Sequence, residues 1–323
     1  MGSSLGCLYF GHGRKATQQS RAPSPAPAAG VKRVAARLGD GWRRHADPAW
    51  LTGWEPVPFE IGGGLTEVIT MGAGPTLVLI PPLPGFKEAW VACAAPLARA
   101  FRVVTFDLRV RFEGRPRWEP LLADLECVLD RFAPGAAAVV GHSLGGALAQ
   151  RWALARPGRV RALVLSSSFA RVTTPRGHVW SRYVEQPFVL AGQRLLPPRA
   201  ALAVARRLAA KGAWVYDARC GDQVLDFVRF CIRDVRVVAA RDTVRLAFAH
   251  DTRAALPGLS CPALVVVGER ESDFALAAAA ELARLIPGAE HRVSPGVAHL
   301  HPLSGAAWLI ETLTSWLGPR LGS

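Results

Sequence analysis

Residues 139–150 read VVGHSLGGALAQ. An apolar run stops at Gly141, a helical pattern starts at Leu144, and Ser143 stands between them with Gly145 and Gly146 just beyond. An ordinary turn does not need three glycines around one serine. A serine lifted clear of the backbone on a sharp strand-to-helix turn does, because that turn is strained and leaves no room for side chains two residues to either side. Gly141-His142-Ser143-Leu144-Gly145 therefore reads as a G-x-S-x-G nucleophile turn. Its hydroxyl would sit at a helix start, where the N–H of Leu144 points to a developing oxyanion.

The flanking sequence supplies the sheet such a turn requires. FEIGGGLTEVITMGAG alternates apolar residues with glycines, as a strand hairpin does. Short apolar runs follow at 76–81, 102–108, 136–141, 161–168 and 262–268, and EHRVSP (290–295) reads as a sixth strand. Helical patterns follow them at 87–101, 118–132, 144–155, 274–286 and 303–317. Apolar runs alternating with helices predict an α/β fold, a mostly parallel, doubly wound sheet covered on both faces. The rhythm breaks between Phe169 and Ser260, where helical patterns carry Trp180, Tyr183, Phe188, Trp214, Tyr216, Phe227, Phe230 and Phe248. This reads as a helical cap insertion, 169–260, in a core of 50–168 and 261–323. Residues 1–49 read as a disordered basic tail containing the linker APSPAPAAG.

Ligands of open α/β sheets bind beyond the carboxyl ends of the strands, so the remaining chemistry belongs in those loops. A serine hydroxyl needs a base. His299 follows the sixth of these strands; His301 is two residues on, restricted by Pro302. His299 is the expected base, and His142 is expected to pack beside the turn. A carboxylate must orient the base. GERESDF (268–274) offers Glu269, Glu271 and Asp273.

The order serine, acid, histidine, with LVLIPPLPGFKEAW, VVTFDLR, VVGHSLGGALA, LVVVGERESD and SPGVAHLHPL in sequence, resembles the α/β-hydrolase superfamily from about Gly53 to Leu317. The resemblance implies a triad of Ser143, an acid and His299, a helical cap, and no cofactor or metal. It places the acid three residues after Gly268, at Glu271, which is preferred to Asp273 although the family usually has Asp there. Where the family usually has His-Gly after its third strand, this chain has Pro81-Pro82. The next residue, Leu83, keeps its N–H and is expected to share the oxyanion hole with Leu144. The expected activity is that of a carboxylesterase-like serine hydrolase acting on an ester, thioester or similar acyl bond of a small apolar substrate. A lyase or C–C hydrolase using the same triad, or a receptor-like member that binds without turnover, are the alternatives.

Composition removes other classes. The net charge is +14, half of it from residues 1–45, and only four of the 39 basic residues are Lys. No basic stripe with interleaved aromatics marks a nucleic-acid surface. No apolar run reaches the roughly 18–20 residues of a membrane span. Cys7, Cys93, Cys127, Cys220, Cys231 and Cys261 lack the C-x-x-C spacing of a zinc site. They read as reduced thiols of a cytoplasmic protein, since MGSSLGCLYF makes a poor signal peptide and Gly6 breaks a myristoylation motif.

Overall fold

The computed structural model describes residues 32–38, 40–172, 195–197, 199–200, 203–204, 207 and 237–322. Eight strands form one sheet: β1 Val57–Ile61, β2 Gly64–Met71, β3 Thr76–Ile80, β4 Arg102–Phe106, β5 Ala137–His142, β6 Val160–Ser166, β7 Ala263–Gly268 and β8 Glu290–Ser294. Their spatial order is β1-β2-β4-β3-β5-β6-β7-β8. The hairpin β1–β2 is antiparallel and joins β4 antiparallel; β4 to β8 pair in parallel.

The apolar runs are continuous because both sheet faces are covered. Val78, Ile80, Val139, Leu163, Leu165, Val265 and Val267 enter one apolar cluster. Their neighbours Leu77, Leu79, Val140, Ala162, Val164, Leu264 and Val266 enter another on the opposite face. Alternate side chains of a strand point to opposite faces, so a strand buried on both must be apolar throughout. Each such Val, Leu or Ile gains about 1.5–3 kcal/mol on burial. The first face is covered by α2 (Trp118–Phe132), α3 (Leu144–Ala155) and α5 (Asp273–Leu285), the second by α1 (Val91–Leu97) and α7 (Ala306–Leu321).

Two helices differ from expectation. The pattern over 87–101 forms a short 3₁₀ turn, Lys87–Trp90, and then α1, which ends one residue after Pro96. The last pattern splits at Gly305 into α6 (His301–Ser304) and α7, which continues to Leu321.

The boundary of the tail is corrected. Residues 32–38 and 40–49 belong to the folded unit: Ala36, Leu38, Trp42 and Ala46 are buried in the second cluster with Trp54 and Trp90. The segment is pinned by Arg33 to Glu67 at 2.7 Å and by the Ala36 N–H to the Leu108 carbonyl at 2.9 Å. Glu67 also meets the fully buried Lys87, whose Nζ reaches Glu67 and Asp107 at 3.0 Å and Glu88 at 2.9 Å. Burial pushes Lys87 down, but the Asp107, Glu88 and Glu67 carboxylates outweigh it and hold the ammonium charged.

Much of the expected cap, including 173–194 and 208–236 with seven of its eight aromatics, lies outside the described residues. Its two ends are described. Phe169 and Ala170 at the start, and Leu246, Leu256 and Leu259 at the return, pack into the first apolar cluster. The return includes α4 (Val237–Phe248).

The order β4-β3-β5 reverses the direction of winding. The chain leaves β3 to one side and returns to β5 on the other, so the loops after these two strands part and leave a crevice between them. Ser143 and Leu83 lie in those two loops.

Candidate active site

Ser143 follows β5 directly and precedes α3. Its backbone sits at φ 53°, ψ −118°, a conformation that costs a non-glycine residue on the order of 1–3 kcal/mol. The neighbourhood holds it there. The Ser143 N–H donates to the Ser166 carbonyl at 2.8 Å, and the Ser143 carbonyl accepts from the N–H groups of Gly146 (3.0 Å) and Ala147 (3.3 Å).

The three glycines have separate reasons. A Cβ on Gly141 would meet the Gly145 carbonyl, one on Gly145 would meet the Ile80 and Pro81 carbonyls, and one on Gly146 would meet the Ser168 hydroxyl. The turn is thus packed backbone to backbone against the end of β3, which brings the Pro81-Pro82-Leu83 loop beside it. Leu144 is the first residue of α3, so its N–H has no partner within the helix.

The loops after β7 and β8 are zipped together. Glu269 N–H donates to the Ser294 carbonyl and Arg270 N–H to the Val297 carbonyl, both at 2.9 Å. The Glu269 carboxylate accepts from the Gly296 N–H at 2.6 Å. Gly268 allows this closeness, since a Cβ there would press on the Val297 and Ala298 carbonyls. The pairing carries Glu271 to His299. His299 Nδ1 lies 3.0 Å from Glu271 Oε1 and 3.3 Å from Oε2. A carboxylate only accepts, so Nδ1 carries the proton and Nε2 the lone pair.

Electrostatics in this pair favour the ionised forms. Burial pushes the Glu271 carboxyl up, but the His299 charge and hydrogen bond outweigh it and hold Glu271 below the usual carboxylate range. Burial pushes His299 down, and Glu271 reverses the sign, leaving the imidazole above its ordinary value.

The expected residues therefore separate. Glu271 meets His299, whereas Asp273 is exposed in the first turn of α5 behind the cap Ser272, whose hydroxyl accepts from the Ala275 N–H at 3.3 Å. Glu269 ties two loops rather than touching the histidine. His142 packs beside the turn, its ring 5.0 Å from that of His299 and 5.1 Å from that of His301.

Ser166 links these outer rings. His142 Nδ1 lies 3.1 Å from the Ser166 carbonyl, so it carries a proton, and 2.9 Å from Ser166 Oγ. Ser166 Oγ in turn lies 2.5 Å from His301 Nε2. Both histidines are held low: His142 by burial and its two neighbours, His301 by burial to about 4. They are neutral packing partners of His299, and the run Ser166-Ser167-Ser168 gave no sign of this in sequence.

Among the described residues no group of three or more His, Cys, Asp or Glu side chains is arranged to hold a metal ion. No helix among them is long and apolar enough to cross a membrane.

Comparison with known proteins agrees with this fold. A family model described as alpha/beta hydrolase fold matches residues 75–306. Polyketide synthase ThaQ of Burkholderia thailandensis is 31% identical over 264 residues, covering 74% of this chain but only 11% of that much longer protein. The pimeloyl-[acyl-carrier protein] methyl ester esterase of Chromobacterium violaceum is 27% identical over 255 residues, 77% of this chain and 97% of that protein. Among solved structures, the enol-lactonase from Burkholderia xenovorans LB400 superposes with a TM-score of 0.64 at 22% identity, over 81% of this chain and 99% of its own, a likeness of fold.

Proposed function

The chain belongs to the alpha/beta hydrolase fold family, and from that premise we propose that it is a serine hydrolase that cleaves a carboxylic ester or thioester of a small acyl substrate. The observation that carries this reading is the strained Ser143 turn standing at the sheet's carboxyl edge together with the half-buried His299 paired to the buried Glu271. The match to a methyl ester esterase along nearly its whole length supports an ester substrate.

In this reading Ser143 Oγ attacks the acyl carbonyl while His299 Nε2 takes its proton. Negative charge gathers on the carbonyl oxygen and is met by the Leu83 and Leu144 N–H groups. The tetrahedral intermediate collapses, the leaving alcohol or thiol takes the proton from His299, and the acyl group stays on Ser143. Water, deprotonated by His299, then attacks the acyl-serine. The carboxylic acid leaves and Ser143 recovers its proton. Glu271 stays ionised throughout and balances the imidazolium.

The test is the intact mass of the protein after exposure to a fluorophosphonate, which phosphonylates an activated serine and releases fluoride. One adduct per chain is the expected result. A folded protein that gains no mass overturns the reading.

A pH dependence follows from the histidine. Turnover needs neutral His299, and Glu271 favours the protonated form. The pH at which half the imidazole is neutral therefore lies above the ordinary value of about 6.5. Measured kcat/KM should rise with pH along a limb whose midpoint is above that value. A midpoint below it would mean that Glu271 does not charge-stabilise the base.

A further inference from the structure

The side of α3 facing away from the catalytic pair carries a second polar arrangement. Gln150 is fully buried nearly two turns beyond Ser143, on the helix that Ser143 caps. Its Oε1 lies 2.7 Å from Thr252 Oγ1; its Nε2 lies 3.1 Å from the Phe169 carbonyl and 3.4 Å from Ser168 Oγ. Ser168 Oγ donates to the Ser143 carbonyl at 2.9 Å. Thr252 Oγ1 is 3.4 Å from His250 Nε2, and His250 Nδ1 is 3.1 Å from Arg151 Nε.

The protons of this chain can be assigned from its ends. Arginine only donates, so His250 Nδ1 accepts and its proton sits on Nε2. That N–H faces the Thr252 oxygen and the Phe169 carbonyl, and the Thr252 hydroxyl donates to Gln150 Oε1 at 2.7 Å, the Ala170 carbonyl lying farther off at 3.4 Å. The amide nitrogen then donates toward Phe169 and Ser168. At the far end a carbonyl only accepts, so the Ser168 proton points at Ser143. Every link runs in one direction, from Arg151 to the backbone of the nucleophile, with no donor facing a donor. His250 is held neutral, as the assignment needs, by burial and by the Arg151 charge, which push it down to about 3.

The chain also joins three separate pieces. Ser168 and Phe169 lie where the polypeptide leaves β6 for the insertion. His250 and Thr252 lie where it returns, and the Thr252 N–H donates to the Ala170 carbonyl at 3.0 Å. Gln150 bridges both to α3. We propose that Gln150, Ser168 and Thr252 are positioning residues that hold the Ser143 carbonyl, and with it the left-handed turn, in the reactive geometry by a directed hydrogen-bond relay from the roots of the insertion. The inference rests on Ser143 being the nucleophile.

The test compares Thr252→Val, which keeps the shape and loses the hydroxyl, with Thr252→Ser, which keeps the hydroxyl. The readouts are the fluorophosphonate inactivation rate, kcat and KM on p-nitrophenyl butyrate, and the melting temperature. Loss of one buried hydrogen bond at the nucleophile's anchor should slow inactivation and kcat by roughly tenfold, with KM and the pH midpoint unmoved. Thr252→Ser should restore the rate to within about twofold of wild type. Gln150→Met, which keeps the length and loses the amide, serves if Thr252→Val does not fold and should be slow in the same way. Equal rates for wild type and the folded Val or Met variant overturn the relay, as do equally slow Val and Ser variants, since bulk rather than the hydroxyl would then matter. A wild-type protein that takes up no fluorophosphonate overturns the hydrolase reading instead.

Discussion

The Ser143→Ala protein forms no fluorophosphonate adduct, and its ester turnover falls by on the order of 10⁴–10⁶. The size of that expected loss follows from what remains. Without the hydroxyl there is no covalent step, and His299 has no proton to collect. The Leu83 and Leu144 N–H groups and the shape of the crevice survive, so a residual acceleration over water survives with them. Alanine accepts the same backbone conformation at the same cost as serine, and among the described residues the serine side chain ties no neighbouring loop. The variant should therefore melt within a few degrees of wild type. Intact mass and initial rates check both halves of the expectation. Turnover that persists within tenfold would locate the chemistry elsewhere.

Glu271→Gln is expected to lower kcat/KM by about 10³–10⁴, the loss typical when a triad acid becomes an amide and the imidazole takes the wrong tautomer. Gln can present its amide N–H to His299 Nδ1. The imidazole would then move its proton to Nε2, where it can no longer accept from Ser143. Without the carboxylate the imidazolium also loses its counter-charge, so the midpoint of the acid limb should fall. Asp273→Asn changes an exposed residue in the first turn of α5, and its rate should stay within about twofold. Initial rates across pH for the two proteins decide the matter. If Asp273→Asn is the crippled one, the pairing of Glu271 with His299 is not the working arrangement.

Much of this site could be read in the sequence, and the reasons differ by residue. Ser143 was legible because its turn demands glycines, and each glycine faces backbone or a serine that a side chain would strike. The parallel strands β3 to β7 were legible because burial on both faces favours apolar residues along most of their length, whereas β8, at the sheet edge, is half exposed and keeps Glu290, His291 and Arg292. The acid was legible only as a loop. Glu269, Glu271 and Asp273 share charge and neighbourhood, and what separates them is the cross-loop pairing at Gly268, a contact between segments far apart in the chain. One local signal was available: Ser272 three residues before Ala275 is a helix cap, which assigns Asp273 to α5. The relay was not legible, since Gln150 and Thr252 are 102 residues apart and nothing local marks a glutamine as buried. The tail boundary failed for a related reason. Composition near the N-terminus is dominated by Ala, Gly and Arg, while the few residues that bury, Leu38 and Trp42 among them, are too sparse to show a period.

That boundary has a practical side. A protein cut to start at residue 50, as composition would recommend, loses Arg33 and Arg37 together with Leu38 and Trp42. Glu67 would lose Arg33 at 2.7 Å and Arg37 at 3.5 Å and keep Lys87, which it shares with Glu88 and Asp107, so three carboxylates would gather on one ammonium. The face of Trp54 that Trp42 packs against edge-on would open to solvent as a sticky patch. Poor yield or clumping of such a fragment would reflect a missing piece of the core and would say nothing about the chemistry at Ser143.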